Sequence, residues 1–404
     1  MVFACQRDSF QKEYTSSVVS CTPAEFKKLS NGKKEKIKCY EVVLKDTILF
    51  PEGGGQPCDY GTIDGIPVVH VLRRGQDAVH IVEFPLQEGQ DVKQVVDWER
   101  RLDHMQQHSG QHLITALADI MFGYATTSWS LGAETSFIEL DTPEMTEEQI
   151  KQLEDAVNEK IRNGVPVTVS ILDENDIELN QTRTRGLPKD HKGSVRIITI
   201  KDIEANMCCG THVSNLSQLQ AIKLLGAEKG KKGKTNLQFL VGCRVLKSHG
   251  KMYKKELDFN LLLKCNPDSH KEMINKLLAT NKTLAKRVQN LLKEVASFEI
   301  RLFKAKDPRP KYFIHHKPGG DMDYMYFVVR EMDDADTLHL LTIGEKEGGH
   351  VLIVGPEDTV EKAAKIVSEI LEAKGNRNGT RYQAKVKRLD RLGKLTEKIS
   401  QIIN

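Results

Sequence analysis

The hydrophobic pattern near the start of the chain predicts short strands. Four segments are rich in valine and isoleucine, and several of them alternate apolar with polar positions, namely residues 39–44, 67–72, 78–84 and 92–96. Glycine-containing turns separate these segments, including the run Gly53-Gly54-Gly55. Short strands at this spacing are typical of a small antiparallel barrel or sandwich. We therefore predict a small β-barrel domain over residues 1–99.

From Arg100 onwards the pattern mixes helices with strands. Residues 103–121 place apolar side chains on one helical face. A second helix begins at Thr146, where Gln149 completes a capping box. Four strand-like segments follow, namely residues 165–172, 195–200, 219–225 and 236–241. Helices lying on an antiparallel sheet would bury both kinds of element, so we predict an α+β domain over residues 100–246.

Residues 247–306 are charged and helical in pattern. Apolar side chains occupy two heptad positions, with Ile274, Val288, Val295 and Leu302 at one and Leu277, Leu284, Leu291 and Phe298 at the other. Asn281 stands at the vacant place in the first series, and asparagine there is known to fix the register of such a seam. The pattern predicts a helical hairpin or a coiled coil, and it leaves open whether the heptads pair within or between chains.

The last segment, residues 307–404, has the pattern of a small α/β domain. Residues 324–329 and 350–354 are strand-like, and residues 359–373 have helical periodicity. Lysine and arginine are frequent from residue 374 to the end. The predicted fold class is therefore α+β multidomain, with four successive segments.

Composition limits the classes of function. The chain has 404 residues, 39% of them hydrophobic and 28% charged, and a formal charge of +3. No apolar stretch approaches the roughly 20 residues that cross a bilayer. Eight cysteines without a recognisable export signal favour reduced thiols or metal ligands over disulfides. We expect a cytoplasmic protein with no membrane or DNA partner.

Candidate metal ligands lie in two short motifs. His108 and His112 are four residues apart on the first predicted helix of the α+β domain, so their imidazoles share one face. Cys208 and His212 follow a predicted strand. Imidazole and thiolate are ligands that suit zinc, and the two pairs would complete a tetrahedral set. Either pair taken alone could be a coincidence of packing. The spacing to His212 does not decide between Cys208 and Cys209 as the sulfur ligand. His104 is expected to be a packed residue or to support a ligand without binding the metal itself.

A third motif runs from Thr47 to Gln56 and contains three successive glycines. Glycine allows positive φ and close approach of a ligand to the backbone. A simple hairpin turn is the favoured interpretation of the glycines alone. A phosphate-binding loop of nucleotidases is not indicated, because no Gly-Lys-Ser/Thr follows.

Together the three motifs resemble those of the AlaX family, the free-standing alanyl-tRNA editing proteins related to the editing domain of alanyl-tRNA synthetase. The family pattern is Thr-x-x-Phe/Tyr-Pro-Glu-Gly-Gly-Gly-Gln, then His-x-x-x-His, then Cys-x-Gly-Thr-His-Val, and it occurs here at residues 47–56, 108–112 and 208–213. Leu49 and Phe50 stand where Phe-Tyr is common, and Cys209 where glycine is common. Residues 247–404 resemble, less closely, the long AlaX class and the C-terminal domain of alanyl-tRNA synthetase.

The resemblance implies an aminoacyl-tRNA hydrolase that acts in trans on mischarged tRNA(Ala), chiefly seryl-tRNA(Ala) and also glycyl-tRNA(Ala), while it spares alanyl-tRNA(Ala). It implies one Zn²⁺ per chain. The implied site residues are the metal ligands His108, His112, Cys208 and His212, and the substrate-binding residues Thr47, Gly53, Gly54, Gly55 and Gln56. Lys231 and Lys232, in a lysine-rich loop between strands, become candidate tRNA phosphate contacts.

Several alternatives stay open. The same ligands and basic loop would serve a non-catalytic zinc-stabilised module that binds RNA or protein. A scaffold that acts through the heptads is a third interpretation, and it predicts that residues 247–404 retain the main activity alone. Zinc could activate water through an open coordination position, or position the substrate with its shell closed. A homodimer through the helical segment is a further expectation.

Overall fold

A computed structural model of the chain describes residues 2–30, 33–172 and 194–403. Two compact units are present, Met1–Glu256 and Leu257–Asn404. Each unit contains both helices and sheets, so the predicted mixed α+β class is confirmed. The predicted division into four domains stays a prediction.

The first unit begins with a short helix, α1 (Ala4–Arg7), and a six-stranded antiparallel sheet. The strands are β1 (Glu13–Ser30), β2 (Lys33–Leu44), β3 (Gly61–Ile63), β4 (Ile66–Arg74), β5 (Asp77–Val82) and β6 (Asp91–Val96). Their order is β1-β2-β5-β4-β3-β6, and β6 pairs back onto β1, which closes the sheet into a barrel. Val42, Ile63, Val71 and Val82 are fully buried in its core. The loop between β2 and β3 carries the glycine run.

A long helix, α2 (Trp98–Phe122), follows the barrel directly. Asp97 caps its start by accepting a hydrogen bond from the Arg100 backbone, and Gly123 ends it in the left-handed conformation. Arg101 is fully buried on this helix and is paired with the buried carboxylate of Asp59. This ion pair ties the helix to the loop between β2 and β3.

The rest of the first unit packs two small sheets and a helix around α2. One sheet has the order β12-β13-β8-β7 and the other β11-β10-β9. Their strands are β7 (Thr126–Ser130), β8 (Ser136–Leu140), β9 (Val167–Leu172), β10 (Val195–Ile200), β11 (Glu204–Met207), β12 (Ile222–Lys229) and β13 (Thr235–Val241). Helix α3 (Glu147–Arg162) begins with the predicted capping box of Thr146 and Gln149. Its buried residues Leu153, Val157 and Ile161 join those of α2 in one core.

Helix α4 (Cys243–Leu263) continues past the end of the first unit, and α5 (His270–Lys304) belongs to the second. The second unit contains one five-stranded sheet of order β14-β15-β16-β18-β17. Its remaining elements are β14 (Tyr312–Lys317), α6 (Met322–Met332), β15 (Leu338–Glu345), β16 (Gly348–Val354), α7 (Glu357–Ile370), β17 (Lys374–Asn378), β18 (Arg381–Val386) and α8 (Leu392–Ile403).

One element of the second unit contradicts the sequence prediction. Residues 324–329, expected to be a strand, lie inside helix α6. Asp321 caps this helix by accepting a hydrogen bond from the Tyr324 backbone, and the buried residues Tyr324, Met325, Val328 and Met332 recur at helical spacing. A short run of aromatic and β-branched residues fits a strand by composition, but the Asp321 cap and the helical spacing of the buried side chains make this segment a helix.

A strand boundary also differs from the prediction. The segment predicted at 219–225 begins instead at Ile222, because residues Leu216–Leu219 form a turn of 3₁₀-helix capped by Asn215. Within the described ranges, no helix is long and apolar enough to cross a membrane.

Candidate metal centre

Helix α2 carries the first two candidate ligands on its buried face. His108 is 0% exposed and His112 is 6% exposed. Gly110 lies between them where a Cβ would meet the Val241 side chain at 2.5 Å. Glycine at this position therefore lets the helix approach β13 closely and holds both imidazoles at a fixed depth.

The other two candidate ligands lie in the loop after β11. The ligand atoms of His108, His112, Cys208 and His212 all lie within 4.8 Å of one another. The Cys208 Sγ is 3.4 Å from His108 Nε2 and 3.2 Å from His212 Nε2. The fold thus brings together all four side chains predicted as metal ligands, although about a hundred positions separate the two pairs.

Each imidazole is oriented by a contact at its other nitrogen. His108 Nδ1 lies 2.8 Å from Gln56 Oε1, and His212 Nδ1 lies 3.1 Å from Ser109 Oγ. His112 Nδ1 lies 3.3 Å from a Glu204 carboxylate oxygen. An imidazole that donates from Nδ1 presents Nε2 as a lone pair, which is the arrangement seen in most histidine–metal sites. The four side chains therefore fit a soft divalent ion such as zinc.

Two features hold the loop that carries Cys208 and His212. Gly210 lies against the His108 ring, and Arg196 donates buried hydrogen bonds to the loop backbone. A Cβ on Gly210 would lie 2.2 Å from His108 Cε1, so only glycine leaves room for that ring. The buried guanidinium of Arg196 donates to the carbonyls of Cys208 (2.7 Å) and Gly210 (2.8 Å). The position of the thiol is therefore set by backbone contacts on both sides of it.

The pKa values of the cluster follow from burial and from the neighbours. Burial raises the pKa of the Cys208 thiol, but His108 and His212 lower it by more, so that it lies well below its ordinary value. Burial opposes a charge on His112, but the Cys208 and Glu204 contacts raise its pKa to about 9. Burial lowers the pKa of His212 to about 3. Zinc binds a thiolate and neutral imidazoles, so His112 must release its proton when the ion binds.

The glycine run forms a tight hairpin turn beside this cluster. Gly53 and Gln56 exchange two backbone hydrogen bonds of 3.1 Å, and Gly54 and Gly55 between them have φ of +55° and +82°. Positive φ at both central positions is the signature of a type I′ turn. A Cβ on Gly54 would lie 2.7 Å from Cys209 Sγ, and one on Gly55 would lie 2.6 Å from the Trp129 ring. Gly54 and Gly55 therefore allow the turn to form and let its backbone lie close to Cys209 and Trp129.

The side chain of Gln56 is fully buried and already engaged. Its Oε1 accepts from the Thr211 backbone at 3.0 Å and contacts His108, and its Nε2 donates to Thr211 Oγ1 at 2.8 Å. Gln56 therefore links the glycine turn to both ligand motifs.

Thr47 lies in the barrel core, with 1% exposure. Its hydroxyl accepts from the Leu49 backbone at 3.0 Å and lies 2.6 Å from Gln94 Oε1 and 2.9 Å from His80 Nε2. His80 Nδ1 faces the Val42 carbonyl at 3.1 Å, and burial lowers the pKa of this histidine to about 4. A neutral His80 that donates from Nδ1 presents Nε2 to the Thr47 hydroxyl as an acceptor. Gln94 Oε1 faces the same hydroxyl and also accepts from the Ile48 backbone at 3.2 Å.

The remaining predicted residues lie outside the cluster. Lys231 and Lys232 are exposed in the loop between β12 and β13. His104 is buried on α2 but does not join the four converging side chains, in agreement with the packed role preferred for it.

Sequence reasoning missed the contacts made by Ser109, Glu204, Arg196 and Trp129. Ser109 sits inside the His-x-x-x-His motif, where spacing alone would have placed it beside the ligands. The other three are brought in by tertiary packing.

Comparison with known proteins identifies the family. The sequence model described as "Threonyl and Alanyl tRNA synthetase second additional domain" matches residues 195–241, which include Cys208 and His212. The alanyl-tRNA editing protein Aarsd1 of Danio rerio is 54% identical over 390 residues, which cover 96% of this chain and 95% of that protein. The chain belongs to the alanyl-tRNA editing protein family.

More distant members of this family align over most of their length as well. The Mus musculus protein Aarsd1 is 49% identical over 97% of this chain and 95% of its own. AlaX-L of Pyrococcus horikoshii is 29% identical over 87% of this chain and 88% of its own. The family resemblance predicted from the three motifs is therefore confirmed.

A solved structure, the C-Ala domain of Aquifex aeolicus alanyl-tRNA synthetase, aligns with 23% of this chain and 89% of its own, with a TM-score of 0.20 and 8% identity. A score this low assigns no fold. The predicted resemblance of residues 307–404 to that domain stays a prediction.

Proposed function

We propose that this protein is a zinc-dependent hydrolase that deacylates mischarged tRNA(Ala) in trans, chiefly seryl-tRNA(Ala) and also glycyl-tRNA(Ala). Two observations support the proposal. The family is that of alanyl-tRNA editing proteins, and four nitrogen and sulfur donors converge beside a glycine turn. The second observation is the stronger one, because a purely structural zinc site does not need an exposed glycine turn beside it that could bind a substrate.

The metal ligands in this proposal are His108, His112, Cys208 and His212. A bound zinc ion would supply a Lewis acid for the ester carbonyl or for an attacking water. Four protein donors fill a tetrahedral shell, which favours a positioning role over permanent activation of water. Gln56, Ser109 and Glu204 hold the imidazoles in the metal-binding orientation.

We assign the substrate contacts of the glycine turn chiefly to the backbone of Gly53, Gly54 and Gly55. The amide of Gln56 was predicted to bind substrate, but its Oε1 and Nε2 are already engaged with His108 and Thr211. Gln56 therefore acts in this proposal by positioning the turn and His108.

Selectivity for serine is assigned to the hydroxyl of Thr47 and its neighbours. Thr47, His80 and Gln94 are buried in the barrel core and contact one another, and Gln94 Oε1 also accepts from the Ile48 backbone at 3.2 Å. In this proposal the seryl hydroxyl reaches the Thr47 and His80 pair and hydrogen-bonds with it, which an alanyl methyl group cannot do. A site that pairs with a substrate hydroxyl can reject the analogue that lacks it by large factors.

The decisive experiment is a deacylation assay with seryl-, glycyl- and alanyl-tRNA(Ala). We expect the native protein to hydrolyse the seryl ester much faster than the alanyl ester, and Cys208→Ala to lose both zinc and activity. Cys209→Ala is the matched control, since the neighbouring thiol is not among the four converging donors, and it should retain both. A native protein that binds seryl-tRNA(Ala) without hydrolysing it would support the non-catalytic module instead.

The exposed pair Lys231 and Lys232 is proposed to contact tRNA phosphates. Each phosphate contact that is lost should reduce the slope of log K against log salt by roughly 0.7–0.9. The double change of both lysines to alanine should therefore weaken binding and flatten the salt dependence by up to about 2. Lys36, which pairs with Glu25 on the barrel, provides a control lysine, and an unchanged slope in the double variant would exclude the loop.

A further inference from the structure

Helix α5 carries an exposed apolar seam with heptad spacing, in which Asn281 is the one polar member. Its apolar side chains alternate at spacings of three and four residues from Ile274 to Leu302, over about 42 Å of helix. The eight members are 40–66% exposed: Ile274, Leu277, Leu284, Val288, Leu291, Val295, Phe298 and Leu302. Half-exposed aliphatic side chains in such a row are typical of an interaction surface.

This seam differs from the face that anchors α5 in its own unit. Ala296, Ile300 and Phe303 are buried against α6 and the adjoining sheet. At 3.6 residues per turn, that face lies about 120° around the helix from the seam. The core contacts of the second unit therefore leave the seam side of α5 uncovered.

We propose that the seam pairs with the same seam of a second copy of this chain, as a parallel two-stranded coiled coil. Ile274, Val288 and Val295 at one heptad position, with Leu at the other, form the combination that favours two parallel strands. Asn281, which is exposed in the single chain, would be buried in that seam. In a parallel pair in register, Asn281 meets its own copy, which supplies the matching amide.

The exposed apolar area of the seam limits the size of the proposed interface. With about 100 Å² of apolar surface for a whole aliphatic side chain, the eight members present about 400 Å² per copy. Two copies bury about 800 Å² from these side chains, and the stems of flanking charged residues add to it. The total is near the lower limit of about 1,200 Å² for specific interfaces. In the parallel pair, Glu294 would face the partner's Glu299 and place like charges at flanking positions. The dimer is therefore expected to be weak and reversible.

Sedimentation velocity of the full-length protein over about 1–100 μM tests the proposal. We expect a monomer–dimer transition that strengthens with added salt, because salt screens the glutamates. The double variant Leu284→Glu/Leu291→Glu should raise the dissociation constant by at least tenfold. Ala279→Glu adds the same charge to the exposed side of α5 away from the seam and should leave the transition unchanged.

Orientation is tested with Asn281→Cys under mild oxidation. The parallel, in-register pair places this residue opposite itself, so a 281–281 cross-linked peptide is expected by mass spectrometry. A protein that stays monomeric over the whole concentration range would overturn the proposal. That result is also expected if α4 folds back and covers the seam within one chain. A dimer that survives the double glutamate substitution, or one that does not cross-link at 281, would also overturn it.

Discussion

Replacing Gln56 by leucine separates a positioning role from a substrate-binding role. The buried amide accepts from the Thr211 backbone at 3.0 Å, contacts His108 Nδ1 at 2.8 Å, and donates to Thr211 Oγ1 at 2.8 Å. Leucine has about the same size but no polar atom. Two buried N–H groups would lose their acceptor, each at a cost of about 1–3 kcal/mol.

The loss should appear first in metal binding. Without its partner at Nδ1, the His108 ring is free to rotate or to change tautomer, and loss of such a partner typically reduces metal affinity by about 10–100-fold. That range corresponds to about 1.4–2.8 kcal/mol. Competition with a chromophoric zinc chelator measures the affinity directly, without any deacylation assay.

Gln56→Glu is the matched control. Its carboxylate still accepts from the Thr211 backbone and from His108, and the Thr211 hydroxyl can turn to donate to it. Zinc affinity should therefore stay within a few-fold of the native value. If the leucine variant binds zinc as tightly as the native protein while deacylation falls, Gln56 acts on the substrate and the positioning argument is wrong.

Three further changes test the fold and the site. Arg101→Met leaves the buried carboxylate of Asp59 unpaired, and the free energy of unfolding should fall by about 3–5 kcal/mol in denaturant titrations. Lowering the pH from 7 to 5 should cost about 2 kcal/mol at His80, because burial lowers its pKa to about 4 in the fold while the unfolded chain takes up a proton below about 6.5; the loss grows as the pH falls towards 4. Gly210→Ala places a Cβ 2.2 Å from the His108 ring, so zinc affinity should fall at least tenfold by chelator competition.

Each of these has its own control. The exposed pair of Lys36 and Glu25 is expected to be worth less than about 1 kcal/mol, so Lys36→Ala should be nearly neutral. His80→Phe should reduce the loss of stability between pH 7 and pH 5 by about 2 kcal/mol, and an unchanged slope would show that other groups cause it. Gly250→Ala on helix α4, where a Cβ meets nothing within 4 Å, should leave zinc binding intact.

Much of the local structure was predictable because its causes are local. The capping box of Thr146 and Gln149 and the strand at Val195–Ile200 depend on neighbours a few residues away. The exception, residues 324–329, shows the limit of that reasoning. A short apolar run fits a buried strand and a buried helix equally well, and the cap at Asp321 and packing decide between them.

The site divides in the same way. The residue types and spacings of His108, His112, Cys208 and His212 follow from the chemistry of a thiolate and imidazoles, so the sequence alone identified all four converging side chains. It did not show that Gln56 and Glu204 orient two of the rings. Such contacts join residues 52 and 92 positions apart in the chain. Periodicity carries no information about these separations, and only the packing of the barrel loop, helix α2 and strand β11 against one another determines which polar atoms meet.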